Sequence, residues 1–255
     1  MSRSWLVLGV LVLKVSCAQS PAYSAGSIVN ASDYSLGPFA PNSALSIFGS
    51  NLSWYTEALN ASNTVGSVPT ELSGVTVYVD DTPAPLLYVS GPQINFLIPS
   101  GELSGNATVR VVREGVTGPE VTVALVYGAP ALFDIGTGFA ITTHADGTLL
   151  TDASPGQPGE TVVVYATGLG ATEPNPEAGE IPESAAPLQW LASLSISLQG
   201  AVLPSTLLKY AGATPGCVGL YQLNIKLPQD VSADPVIQVM MGTQATFGTL
   251  KLAVQ

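Results

Sequence analysis

The feature that most constrains this 255-residue chain is that it repeats itself. Pro41 to Leu52 reads PNSALSIFGSNL, and Pro158 to Leu169 reads PGETVVVYATGL. Each is a proline turn, an apolar run ending in an aromatic (Phe48, Tyr165) and a small-residue corner closed by leucine. Further on, Gln93 to Pro99 (QINFLIP) is answered by Gln222 to Pro228 (QLNIKLP). Between these landmarks Leu87-Tyr88-Val89-Ser90 is answered by Lys209-Tyr210-Ala211-Gly212, and the lead-in segments Gly26 to Asn30 and Gly138 to Thr142 correspond loosely. The order is the same in both halves, which points to an internal duplication rather than a shared composition.

The repeated unit reads as β structure. Short β-branched runs (Ala44 to Phe48, Val75 to Val79, Ile94 to Ile98, Ala107 to Val112, Val121 to Val126) are each bounded by Gly, Pro, Asn or Asp. Amphipathic runs of helical period are scarce, with one weak helical turn over 53–59. Many short strands between turn signals predict an all-β fold of two tandem immunoglobulin-like β-sandwich domains, over 22–129 and 130–255. Within the QINFLIP unit, Ile94, Phe96 and Ile98 alternate toward one face, as do Leu223, Ile225 and Leu227 in its copy, and Gln93, Asn95 and Leu97 point to the other. Proline stops both strands because it cannot donate to the ladder. Asn95 and Asn224 are expected to bond neighbouring backbone at a sheet edge or corner; the alternative is that they line a ligand groove with Gln93 and Gln222.

The first residues read as a secretory signal peptide over 1–18. Arg3 supplies the positive start, Trp5 to Val15 the apolar run, and Ser16 and Ala18 the small residues of a cleavage site. An apolar run of about 11 residues is too short for the roughly 20 that a membrane span needs, so no transmembrane segment is expected once the signal is removed. Lipidation of Cys17 is an alternative, against which Lys14 stands. Removal of 1–18 leaves five basic against eighteen acidic residues, a net charge of −13. Such a surface repels phosphate backbones and argues against nucleic-acid binding. Only Cys217 would remain, so no intrachain disulfide is available. Its Gly-Cys-Val-Gly-Leu setting suggests a small buried apolar residue, the alternative being an intermolecular disulfide.

The segments NAS at Asn30, SIFGSNL at Ser46, APLLYVSGPQINFLIP at Ala84, YATGLG at Tyr165 and GLYQLNIKLP at Gly219 resemble the uncharacterised Solibacter-type C-terminal domain family of acidobacterial secreted proteins. The resemblance spans nearly all of 19–255. It implies an extracellular module, often at the end of larger proteins, whose halves are similar to immunoglobulin-like domains of the plexin and transcription-factor type. The family has no agreed activity and no catalytic residues to carry over. Two departures are Cys217, where a bulky apolar residue is expected, and the appearance of the module alone behind a signal peptide.

Catalytic chemistry is not legible. His144 is the only histidine, and the Asp146-Gly147 turn signal places it at an exposed strand end. There is no G-x-S-x-G elbow and no Cys/His set for zinc. Neither a cofactor nor a catalytic residue is expected. Asp134, Asp146 and Asp152, near the domain junction, are candidates for a calcium site. Trp54 and Tyr55 lie in a polar insertion over 53–69 and are the candidate ligand-binding aromatics, whereas Trp190 is expected in the core. The second half's counterpart insertion, 171–187, is acidic and proline-rich, and both insertions should project from one end of each sandwich. The expectation is a non-enzymatic extracellular or cell-surface module: a rigid spacer or adhesion unit that presents end loops to an unknown extracellular protein. The alternatives are a polysaccharide-binding module and a subunit that self-associates by strand addition through Gly248 to Val254.

Overall fold

The computed structural model describes residues 19–60, 62–64, 66–101, 104–134 and 136–255, and the signal peptide and Cys17 lie outside them. Among the described residues there is no α-helix, and no helix is long and apolar enough to cross a membrane. The chain is all-β.

The first half contains β1 (Ile28–Asn30), β2 (Ala44–Phe48), β3 (Val75–Val79), β4 (Leu86–Val89), β5 (Gln93–Leu97), β6 (Gly105–Arg113) and β7 (Val121–Leu125). The second contains β8 (Thr142–His144), β9 (Thr161–Thr167), β10 (Leu194–Leu198), β11 (Leu208–Ala213), β12 (Tyr221–Lys226), β13 (Val236–Met241) and β14 (Leu250–Lys251). One sheet of the first half runs β1-β2-β5-β4 and the other β7-β6-β3, all pairs antiparallel. In the second half the orders are β8-β9-β12-β11 and β14-β13-β10. Two-residue strands extend several edges; Glu57–Ala58, Thr82–Pro83, Ala186–Pro187 and Ala201–Val202 are the edge partners. Those short edges leave few free ladder groups for another chain, whereas the five-residue β7 is a longer edge. Such paired antiparallel sheets are consistent with immunoglobulin-like sandwiches.

The pairing registers coincide residue by residue. Phe48 lies opposite Gln93 and Tyr165 opposite Gln222. Tyr88 faces Asn95 and Tyr210 faces Asn224, in each case just after a bulge that displaces one residue, Leu87 or Lys209. In the other sheets Val75 faces Arg113 and Leu194 faces Met241, both four residues from a two-residue hairpin. Parallel bridges Phe39–Leu125 and Gly156–Val254 fall at matching points of the two halves. The lead-in match falls two residues later than its sequence alignment, since Ile28 and Thr142 face the equivalent residues Ile47 and Val164.

Each half has its own core. One is built from residues between Ile28 and Leu125, the other from residues between Leu132 and Val254. Ile94, Phe96 and Ile98, and likewise Leu223, Ile225 and Leu227, are fully buried, each aliphatic contributing about 1.5–3 kcal/mol relative to exposure. Leu97 points to the opposite face and is also buried, because Gly219 of the second half lies on it. Gly219 combines φ +69° with a position where a Cβ would collide with Leu97 Cδ2.

Two elements behave differently from the sequence expectation. Asn95 and Asn224 sit on central strands, not edges. There Gln93 Nε2 donates to Asn95 Oδ1 (2.8 Å), Ser46 Oγ donates to the same oxygen (2.9 Å), and Gln222 Nε2 donates to Asn224 Oδ1 (3.1 Å). Residues two apart on one strand share a face, so the amides satisfy each other instead of the backbone. The segment after Gly248 belongs to its own sandwich: β14 pairs with β13, and Leu252, Ala253 and Val254 are buried in the second core. Donating it to a neighbouring chain would remove that core packing.

Candidate functional site

The halves meet through a set of buried contacts. Thr167, fully buried at the end of β9, accepts a hydrogen bond from Ala44 N (3.0 Å) and donates one to Gly219 O (2.9 Å). Tyr221 is buried beside it, its hydroxyl donating to Gly170 O at 2.5 Å, and burial pushes its pKa up. The two insertions do not project freely. Val68 N donates to Gly179 O (2.8 Å) and a bridge joins Ser67 to Glu180, so the acidic loop is laid against the first half. Gly179 permits this approach: its φ is +82° and a Cβ would stand 2.9 Å from Val68 O.

Trp54 and Tyr55 emerge from this frame on a short anchored segment. Leu52 is fully buried and its N–H donates to Gly91 O, while Ser53 Oγ donates to Tyr55 O (2.7 Å) and accepts from Tyr55 N (3.1 Å). Trp54 is 50% exposed and Tyr55 65%. The underside of the indole lies on Arg113, whose guanidinium carbon is 3.8 Å from the ring centroid, and Trp54 Nε1 donates to Glu114 Oε2 (3.1 Å). Arg113 is fully buried, donates to the carbonyls of Asn51 and Gln19, and leaves its Nε without a partner. Guanidinium–indole stacking holds the ring as a fixed platform with one face to solvent.

Trp190 is not in the core. It is 50% exposed and borders a groove of about 510 Å³ together with Tyr127 (67% exposed), Met241 and Gln244. The reason lies in the path of the chain. The 171–187 insertion leaves and returns through a Thr172–Leu188 bridge, and Gln189 N donates to Ala171 O (2.9 Å), which sets the next residue down over the end of β13. Gly128 of the linker lies so close that a Cβ there would be 2.9 Å from Met241 Cβ. Tyr127, in the Val126-Tyr127-Gly128 run before the junction, carried no sequence signal beyond being an aromatic next to a glycine.

The remaining candidates are structurally engaged. His144 is not an exposed strand end. Its Nδ1 is 2.5 Å from Glu160 Oε1 and its Nε2 is 3.1 Å from Ser154 Oγ, and the hydrogen bond to Glu160 chiefly raises its pKa. This serine–histidine–glutamate set has the connectivity of an acyl-transfer triad. Ser154 is exposed on a turn, its own N–H bonds Thr151, and Pro155 supplies no N–H, so neither of these two residues offers an oxyanion donor. Asp134 Oδ1 accepts from Gly136 N (2.8 Å), and Asp146 Oδ1 accepts from Thr148 N (2.9 Å) and Oγ1 (2.6 Å). Asp152 is exposed, and the structure does not bring these three carboxylates together; among the described residues no cluster of three or more His, Cys, Asp or Glu could hold a metal ion. Tyr210 ties the returning loop, its hydroxyl accepting from Ala186 N (3.0 Å) and donating to Ala213 O (2.8 Å). Cys217 is exposed, not buried, because it sits in the tight turn joining β11 and β12, between Gly216 and Gly219 with φ of +79° and +69°.

No family model matches the chain, and no curated protein does. Among solved structures it is similar to the extracellular region of plexin A4 (11% identity, TM-score 0.30), covering 100% of this chain and 20% of that one. It is also similar to SGBP-B of the Bacteroides ovatus mixed-linkage glucan utilization locus (10%, TM-score 0.34, 95% and 47%). Domains 5-6 of the S-layer protein SbsC match at 13% and TM-score 0.27, over 92% of this chain and 98% of theirs. The chain spans about a fifth of the plexin region and about half of the glucan-locus protein. Likenesses this distant transfer no role to any residue.

Proposed function

We propose that this chain is an exported, non-enzymatic extracellular module: one immunoglobulin-like sandwich duplicated over 22–129 and 130–255, and held as a rigid spacer or adhesion unit. The observation that carries it is the clamp at the junction, where Thr167 on Ala44, Gly219 on Leu97 and the zipped insertions tie the halves through buried polar and apolar contacts. A flexible connection would have left those groups to water. The matched registers support duplication, and the leader over 1–18 and the resemblance to the Solibacter-type family support export. The test is a spin-label distance between Asp81→Cys and Val202→Cys, one on a hairpin of each half, in a Cys217→Ser background, both sites being exposed. One narrow distance population is expected; a broad distribution refutes the rigid unit.

A second reading, polysaccharide binding, is favoured by the Trp54 platform, because a fixed, half-exposed indole offers the flat apolar surface on which a sugar ring stacks.

A further inference from the structure

We propose that the Trp190 groove is a second subsite equivalent to Trp54, and that the two bind one neutral polysaccharide; this deepens the polysaccharide reading and rests on it. The equivalence comes from register. Arg113 and Met241 occupy the same position at the ends of β6 and β13, opposite Val75 and Leu194. Trp54 covers Arg113 and bonds Glu114; Trp190 borders the same groove as Met241 and Gly242, the residues in those two places. The incoming backbone also matches: Gln19 O accepts from Arg113, and Gly128 abuts Met241. Two unrelated stretches of sequence thus deliver an indole to the same corner of each sandwich, one directly after β2 and the other by way of a long insertion.

Charge and shape commit the occupant. No charged side chain lines the Trp190 groove, where Ser193, Thr243 and Gln244 offer hydroxyl and amide groups beside the apolar surface. At the other platform the one cation is buried under the ring, with hydrogen bonds to two carbonyls, and so cannot meet an anion. The net charge of −13 over 19–255 repels anionic polymers. A neutral sugar chain has C–H faces for the indoles and hydroxyls for the rim, and its repeating unit suits two like platforms.

Trp54 and Trp190 are the only tryptophans after residue 18, so intrinsic fluorescence reports on these two places alone. The test is affinity electrophoresis of the chain from Gln19 in gels holding mixed-linkage glucan, galactomannan or dextran, with polygalacturonate as the anionic arm. Retardation by at least one neutral polymer is expected, with a change in indole emission. Trp54→Ala and Trp190→Ala should each weaken it about tenfold, or 1.4 kcal/mol, and together about a hundredfold. Trp190→Phe should retain most of it, and unchanged melting curves establish that the variants fold. Retardation by no polymer defeats the polysaccharide reading and this inference with it. Retardation lost in Trp54→Ala but unaltered in Trp190→Ala overturns only the second subsite. Binding to polygalacturonate alone, or a dimer in sedimentation that Trp190→Ala dissociates, overturns the choice of ligand.

Discussion

Replacing Thr167 by valine should uncouple the two halves. The side chain is fully buried, and its hydroxyl is the partner of Ala44 N in the first half and of Gly219 O in the second. Valine has the same shape and can do neither, leaving one buried donor and one buried acceptor unpaired. Each costs about 1–3 kcal/mol, and the extra buried methyl returns about 0.8 kcal/mol, for a net loss of about 1–5 kcal/mol. With a urea m-value of roughly 2 kcal/mol/M, the midpoint should fall by roughly 0.5–2.5 M. The tryptophans allow each half to be followed alone, Trp54 in a Trp190→Phe background and Trp190 in a Trp54→Phe background. In the clamped protein the two transitions should coincide; in Thr167→Val both should move down and separate. Thr167→Ser keeps the hydroxyl and should stay within about 1 kcal/mol of the parent. Coincident transitions with a shift below about 0.3 M, or a serine variant as unstable as the valine one, would refute the clamp.

Three further outcomes follow from the geometry. Gly219→Ala should destabilise by more than about 1 kcal/mol, since it combines a left-handed φ with a collision against Leu97; a thermal melt within a degree of the parent would contradict this. The His144–Glu160 pair raises the histidine pKa, so its contribution is fully present below about pH 6.5 and fades as pH rises through the folded-state value. The stability difference between the parent and His144→Gln should therefore be about 1 kcal/mol or less at pH 6 and shrink toward pH 9, and a difference that grows with pH would count against the pair. Calcium and chelator should give superimposable melts, because Asp134 and Asp146 already close their own turns; a rise of several degrees with calcium would show a site formed by other oxygens.

Much of the architecture is legible in the sequence because strands are local. Alternation in QINFLIP and QLNIKLP assigns the buried face of β5 and β12, and the proline-to-leucine runs locate β2 and β9 to within a residue or two. The matched order of landmarks also places Tyr88 with Tyr210 and Asn95 with Asn224, and the structure gives each pair corresponding register positions. A turn signal such as Asp146-Gly147 is equally local, and His144 N does bond Thr148 O across it. The exposure of Trp54 and Tyr55 is legible for the same reason, since they stand in a polar stretch just past a strand end.

What tertiary structure alone decides is which side chains meet across long separations. Thr167 reaches Ala44 over 123 residues, and nothing in YATGLG distinguishes a threonine that bonds the other half of the chain from one that fills a strand. Trp190 next to Leu191 has the composition of a core position; it is exposed because an insertion returns over β13 instead of entering the sandwich. Leu97 has the polar-face position of its strand and is buried because the second half covers it. Asn95 sits mid-sheet with its amide satisfied by Gln93 and Ser46, a balance set by which face the core occupies. Local patterning thus determines where strands lie and which side is apolar. The path of the loops and the contact between the halves determine what remains exposed, and the two tryptophans owe their shared position to that alone.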